Sequence, residues 1–117
     1  MTSTVQKFEQ FYGSKHYYEY KNGYCYTDAI DFLQDQLKPA QFEELLDTCI
    51  SFMGYKYNFG FFELQVYEDC SYLVVDDGDG HTVCRRKLEI NTHNCALDEG
   101  PYHIWCHNYV IYGRSEH

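Results

Sequence analysis

Hydrophobic and polar positions along the chain follow two periods, the first helical and the second strand-like. Residues 4–12 (TVQKFEQFY) suit a short helix. Tyr17–Tyr20 and Tyr24–Thr27 then flank Lys21-Asn22-Gly23, and Asn-Gly between aromatic runs predicts a hairpin. Thr27 is placed to cap a helix through Leu37 that has Ala29, Ile30, Leu33 and Leu37 on one face. Pro39 fits the first position of a second helix running to about Met53, with Gly54 as its stop. Its apolar arc holds Phe42, Leu45, Leu46, Cys49, Ile50, Phe52 and Met53. Beyond it the period becomes two. Phe62, Leu64 and Val66 alternate with Glu63, Gln65 and Tyr67, and Ser71–Val75 continues as a second strand. Thr82–Ile90 predicts a third strand with Cys84, Leu88 and Ile90 inward, and Tyr102–Tyr112 a last one after the loop at 91–101. The pattern predicts a single α+β domain over residues 1–117. Two to three N-terminal helices would pack on one face of an antiparallel sheet of about four to five strands.

Composition supports a folded chain of one core: 117 residues, 44% hydrophobic, with 13 Tyr and 8 Phe. Charge adds something the pattern does not show. Residues 1–84 hold 14 Asp or Glu against 5 Lys, whereas residues 85–117 are balanced, so the whole net charge of −9 belongs to the first part. Such a chain repels nucleic acid and anionic membranes and attracts a basic partner. The polar start MTSTVQKFEQF has no apolar run of the signal-peptide kind, which predicts a cytosolic protein. In that compartment the six cysteines are expected as reduced, mostly buried small hydrophobes. The oligomeric state stays open, a homodimer included.

Each candidate for chemistry meets a physical objection. Aligning Asp77, Asp79 and Gly80 to a calcium loop puts Val75 at its first position and Arg86 at its twelfth, where acids are required. A hairpin turn with local Asp hydrogen bonds explains the same residues. His93, Cys95, His103, Cys106 and His107 offer five donors for zinc, but strand alternation sends Cys106 to the face opposite His103 and His107. No Gly-rich oxyanion turn accompanies any Cys–His pair, and no Walker, dinucleotide, Gly-x-Ser-x-Gly or His-Glu-x-x-His pattern occurs. No cofactor is expected. Tyr12, Tyr17, Tyr18, Tyr20, Tyr24 and Tyr26 are interleaved with acids rather than with bases, which is wrong for stacking on nucleic acid. Carboxylates with tyrosines suit a surface that imitates nucleic acid and occupies a protein's basic groove.

Four stretches then bear on family. Tyr18-Glu19-Tyr20, the helix–Pro–helix junction Gln34–Phe42, the acidic turn Val75–His81 and the ending Tyr109–Gly113 resemble the staphylococcal type of uracil-DNA glycosylase inhibitor. The His93–His107 segment has no counterpart there. The resemblance implies a DNA mimic whose acids fill the glycosylase's DNA cleft, with Glu19, Asp76–Asp79 and His81 in the contact. The expected function is therefore non-enzymatic inhibition of a host DNA-processing or defence enzyme, a basic DNA- or RNA-binding protein. That enzyme would be uracil-DNA glycosylase or a restriction or CRISPR nuclease. The predicted contact residues are Glu19, Asp28, Asp31, Asp35, Glu43, Glu44, Asp47, Asp76, Asp77, Asp79 and His81. The alternative is a small zinc domain built on His93–His107.

Overall fold

The computed structural model describes residues 3–13, 15–53 and 59–117. Helix α1 (Thr4–Phe8) opens on Ser3, whose hydroxyl accepts from the Gln6 amide while Gln6 Oε1 accepts from the Ser3 amide. This reciprocal box satisfies two donors that a helix start leaves unpaired. α1 is shorter than the predicted 4–12, because past Phe8 the chain departs from the helical path and packs Phe11 against Phe32.

The expected hairpin is present as β1 (Tyr17–Glu19) and β2 (Cys25–Thr27). Asn22 and Gly23 both take positive φ, 57° and 80°, as a tight two-residue turn of this hand requires. Helices α2 (Asp28–Gln36) and α3 (Pro39–Met53) follow with the predicted boundaries to within a residue. Ala29, Ile30 and Leu33 are fully buried on α2, as are Leu45, Leu46 and Cys49 on α3. The expected stop at Gly54 lies outside the described residues.

Strands β3 (Phe59–Val66), β4 (Ser71–Asp76), β5 (Thr82–Leu88), β6 (Gly100–His107) and β7 (Val110–Gly113) complete the chain, with a 3-10 turn at Arg114–Glu116. The protein is α+β as expected, but its sheet corrects the prediction. Among the described residues it has seven strands in the order β1-β2-β7-β6-β3-β4-β5 and is mixed. Two causes account for this. The N-terminal hairpin joins the sheet, with β2 parallel to β7 through Cys25–Val110 and Tyr26–Ile111. The run Tyr102–Tyr112, read as one strand, turns back at Asn108 and Tyr109, whose φ values are 52° and 64°. Asn tolerates that region, whereas Tyr enters it at a cost. The Tyr109 ring packs 4.9 Å from Tyr24 and its carbonyl accepts from the Cys25 amide at 2.9 Å, contacts that offset the strain.

Alternation sorts the sheet into two faces. Phe62, Leu64 and Val66 of β3 and Tyr102, Ile104 and Cys106 of β6 form the core beneath the helices. Gly113 lets α1 and α2 close on β7, since a Cβ there would lie 3.0 Å from Ala29 Cβ and 3.1 Å from Phe8 Cζ. The opposite face carries Phe59, Phe61, Glu63 and Gln65 beside His103, Trp105 and His107, all half-buried. The His117 ring, just after the 3-10 turn, lies 5.0 Å from Trp105 on this face.

Candidate functional site

The acids of α2 and α3 are joined by the tyrosines of the first hairpin. On β1 the side chains alternate, so Tyr18 and Tyr20 turn toward the helices while Glu19 is exposed on the other side. The Tyr18 hydroxyl donates to Asp28 Oδ1 at 3.2 Å, and the Tyr20 hydroxyl donates to Asp47 Oδ1 at 2.9 Å. Between them Tyr26 stacks on Tyr18 at 5.3 Å, meets Tyr20 edge-on at 6.3 Å and donates to Gln34 Oε1. Lys21 Nζ bridges Asp47 at 3.0 Å and Glu43 at 3.7 Å. Asp28, Asp31, Asp35, Glu43 and Asp47 thus belong to one belt of carboxylates around a cluster of rings.

Electrostatics differ along that belt. Partial burial works against the Asp28 carboxylate, but bonds from the Lys15 amide, Tyr18 and His16 outweigh it and hold its pKa below the ordinary carboxyl value. At Asp31 burial is joined by the like charges of Asp35 and Asp28, and the pKa rises. No cation pairs with Asp31 or Asp35 among the described residues. Both line an open groove of about 630 Å³ whose other walls include Phe11, Tyr12, His16 and Phe32. Burial and then the bond to Asp47 likewise raise the pKa of Tyr20, so its hydroxyl stays a donor.

The third acidic patch stands apart. Glu44 Oε1 accepts from the Glu89 amide at 3.1 Å, just beyond the C-terminal end of β5. The Asp76–Gly80 turn sits at the N-terminal end of that seven-residue strand, roughly 20 Å away at about 3.3 Å per residue. Within the turn, Asp76 Oδ1 accepts from the Gly78 and Gly80 amides, and Asp77 Oδ1 from those of Asp79 and His81. His81 Nδ1 lies 3.1 Å from Asp77 Oδ2. The backbone bond from Asp79 is the chief cause of the lowered Asp77 pKa, supported by His81.

The five donors between His93 and His107 do not converge. His93 is exposed, 3.4 Å from Glu68, and Cys95 Sγ donates to the Asn91 carbonyl. Cys106 is fully buried on the helix side, while His103 and His107 lie on the open face, the latter stacked on Phe59 at 4.7 Å. Among the described residues no group of three His, Cys, Asp or Glu side chains is placed to hold a metal. All six cysteines are unbridged, but only Cys49 and Cys106 are buried. Burial raises the thiols of Cys25, Cys49 and Cys95, and pushes that of Cys106 up to about 12, the reverse of what a nucleophilic thiolate needs.

Two features escaped the sequence reading. Glu116 is buried at the start of α2: its Oε1 accepts from the Thr27 hydroxyl at 2.6 Å and the Gly113 amide at 2.8 Å, and its Oε2 from the Ala29 amide at 3.4 Å. Thr27 occupies the predicted cap position, yet its own side chain makes no capping bond. Nothing local marks a residue 89 positions away as the partner. The second is a polar cluster on the open face, where Glu63 pairs in register with His103 and Phe61 with Trp105. Alternation predicts the face of each strand, but the register across some 40 residues is set only by the fold.

The fold and this surface define a small acidic α+β domain with a carboxylate–tyrosine belt. The chain belongs to a family of unknown function, DUF6876, which matches residues 2–117. No curated protein and no solved structure gives a significant match to it. No described helix is long and apolar enough to cross a membrane.

Proposed function

We propose that the protein is a nucleic-acid mimic that blocks the basic DNA-binding cleft of a DNA-processing or defence enzyme in the host cytosol. Uracil-DNA glycosylase and restriction or CRISPR nucleases are the candidate targets. The observation that carries this reading is the belt: Asp31 and Asp35 lack cation partners among the described residues and stand beside aromatic rings that supply rigid contact area. Such carboxylates attract ordered Lys and Arg side chains as phosphates do, and a net charge of −9 speeds the encounter. The same charge argues against direct binding to nucleic acid or anionic membranes. The resemblance to uracil-DNA glycosylase inhibitors implies the same kind of target but would put Glu19, the Asp76–Asp79 turn and His81 in the contact, where the belt reading puts Asp31 and Asp35. The zinc alternative loses support from the diverging donors of the His93–His107 segment.

The test is an inhibition assay. The chain is added to uracil-DNA glycosylase and to a panel of restriction and CRISPR nucleases, and residual DNA cleavage is measured at several salt concentrations. We expect stoichiometric inhibition of one of them that weakens steeply with salt. Reversing Asp31 and Asp35 to Lys should raise the inhibition constant about tenfold or more. Asp79→Lys, in the separate turn, should change it by less than about threefold. Inhibition of none of them, or a belt variant as potent as the parent, would refute the reading.

A further inference from the structure

The open sheet face holds a cleft that the acidic belt does not explain. Its floor is Phe61, Glu63 and Gln65 of β3 with His103 and Trp105 of β6, and its volume is about 450 Å³, in the range of small-molecule sites. One wall is the β4–β5 turn, which folds back over the sheet. Gly78 has φ +92°, and a Cβ on it would come 2.8 Å from Phe61 Cε2, so this wall closes only because residue 78 is glycine. Arg114 stands at the opposite side, ion-paired with Glu9 at 3.6 Å.

The floor carries two acceptors, Glu63 and His103, beside the Gln65 amide. Glu63 Oε2 accepts from Gln65 Nε2 at 2.5 Å, and Glu63 Oε1 lies 3.6 Å from His103 Nδ1. Burial and then the Arg114 charge lower the His103 pKa, which keeps the imidazole neutral near pH 7. With the Nδ1 proton facing the carboxylate, Nε2 presents a lone pair. A carboxylate and an imidazole lone pair on neighbouring strands, both half-buried, call for a ligand edge rich in N–H donors. Trp105 and Phe61, at 5.2 Å and nearly perpendicular, supply ring surface for a planar partner. Asp76 at the rim and the overall charge of −9 disfavour phosphates.

We propose that this cleft binds a small uncharged heteroaromatic ring bearing N–H donors on one edge, of the nucleobase or nucleoside kind. Glu63 and His103 read the donor edge, and Phe61 with Trp105 contacts the ring. The site is separate from the acidic belt and does not depend on the inhibitor reading.

Trp105 is the single tryptophan, so its fluorescence reports the cleft directly. The chain is titrated with guanosine, adenosine and uridine, excited at the red edge of indole absorption. Saturable quenching by guanosine is expected, several-fold tighter than by uridine, which lacks the paired donors. Glu63→Gln should weaken it about tenfold, and His103→Ala should weaken it to a smaller extent. Circular dichroism verifies that both variants are folded. Guanosine monophosphate and a short single-stranded oligonucleotide, the other source of the same ring, should bind more weakly than the nucleoside. The proposal is overturned by an absence of saturable quenching with either purine nucleoside. Unchanged affinity in both folded variants, or tighter binding of the oligonucleotide, would overturn it equally.

Discussion

Helix α2 and the β4–β5 turn each carry three aspartates, Asp28, Asp31 and Asp35 in one and Asp76, Asp77 and Asp79 in the other, and they treat them differently. In the turn, four backbone amides bond to one carboxylate oxygen of Asp76 and one of Asp77. In the helix, amides past the first turn are already bonded to carbonyls four residues back, so no backbone donor is left for Asp31 or Asp35. Asp28, at the helix start, is the exception and takes the Lys15 amide. Acidic residues of equal density in sequence are therefore unequal in availability. Backbone context decides which of them meets a partner.

The comparison depends on α2 being held in place, and the largest expected effect comes from removing what holds it. Glu116→Ala leaves the Thr27 hydroxyl and the Gly113 and Ala29 amides without their carboxylate at a buried helix start. A buried donor without a partner costs about 1–3 kcal/mol, so a loss of roughly 3 kcal/mol is expected for the site. For a domain of this length that lowers the thermal midpoint by roughly 10–15 °C. Glu116→Gln, which keeps one acceptor, should recover part of the loss. The measurement is thermal unfolding followed by circular dichroism. A change below about 0.5 kcal/mol in Glu116→Ala, the size of an ordinary surface substitution, would show that the α2 start is not anchored there.

The contrast between helix and turn was legible in sequence only as far as local rules reach. Helical period placed the apolar faces of both helices inward, and Asn22-Gly23 placed the hairpin. The Asp76–Gly80 turn was likewise readable, because Asp bonds its own neighbouring amides. Three things were not legible. The parallel pairing of β2 with β7 joins residues 85 positions apart, and no local pattern encodes it. The Asn108–Tyr109 reversal uses a residue type that avoids positive φ and is stabilised by Tyr24 and Cys25 from the other end of the chain. The link from Asp28 to Asp47 through Tyr18, Tyr26 and Tyr20 needs the hairpin seated against both helices, a tertiary fact. The composition signalled tyrosines among acids; the fold turned that mixture into a hydrogen-bonded belt.

A smaller effect separates two glycines of the turn. Gly78 and Gly80 both have positive φ, 92° and 87°, but a Cβ at Gly80 meets nothing within 4 Å, whereas one at Gly78 strikes Phe61. Gly80→Ala should therefore cost only the conformational penalty, about 1 kcal/mol. Gly78→Ala should cost about 1 kcal/mol more, because the turn must lift from the sheet face. Urea unfolding of the two variants measures the difference. Equal costs would mean that the turn does not rest on Phe61, and the contrast with the helix would then be one of hydrogen bonding alone.

The smallest effect is the most direct reading of the comparison, since it follows single carboxyls through titration. The ordinary aspartate value is 3.8; burial and the Asp35 charge raise Asp31 above it, and the Asp79 amide with His81 lowers Asp77 below it. The signs are opposite. A raised folded pKa means that the folded state takes up the proton more readily, so Asp31 opposes folding at neutral pH and that opposition is relieved as pH falls through its folded pKa. A lowered folded pKa means that Asp77 favours folding above the ordinary value, a contribution lost as pH falls through its own lower pKa. Carboxyl-carbon NMR titration should place the Asp31 midpoint above that of Asp77. Asp35→Asn should bring the Asp31 midpoint down and leave Asp77 unmoved, while His81→Ala should raise Asp77 and leave Asp31 unmoved. If one substitution moved both midpoints, the helix and the turn would share a single field, and the separation of the two acidic regions would fail.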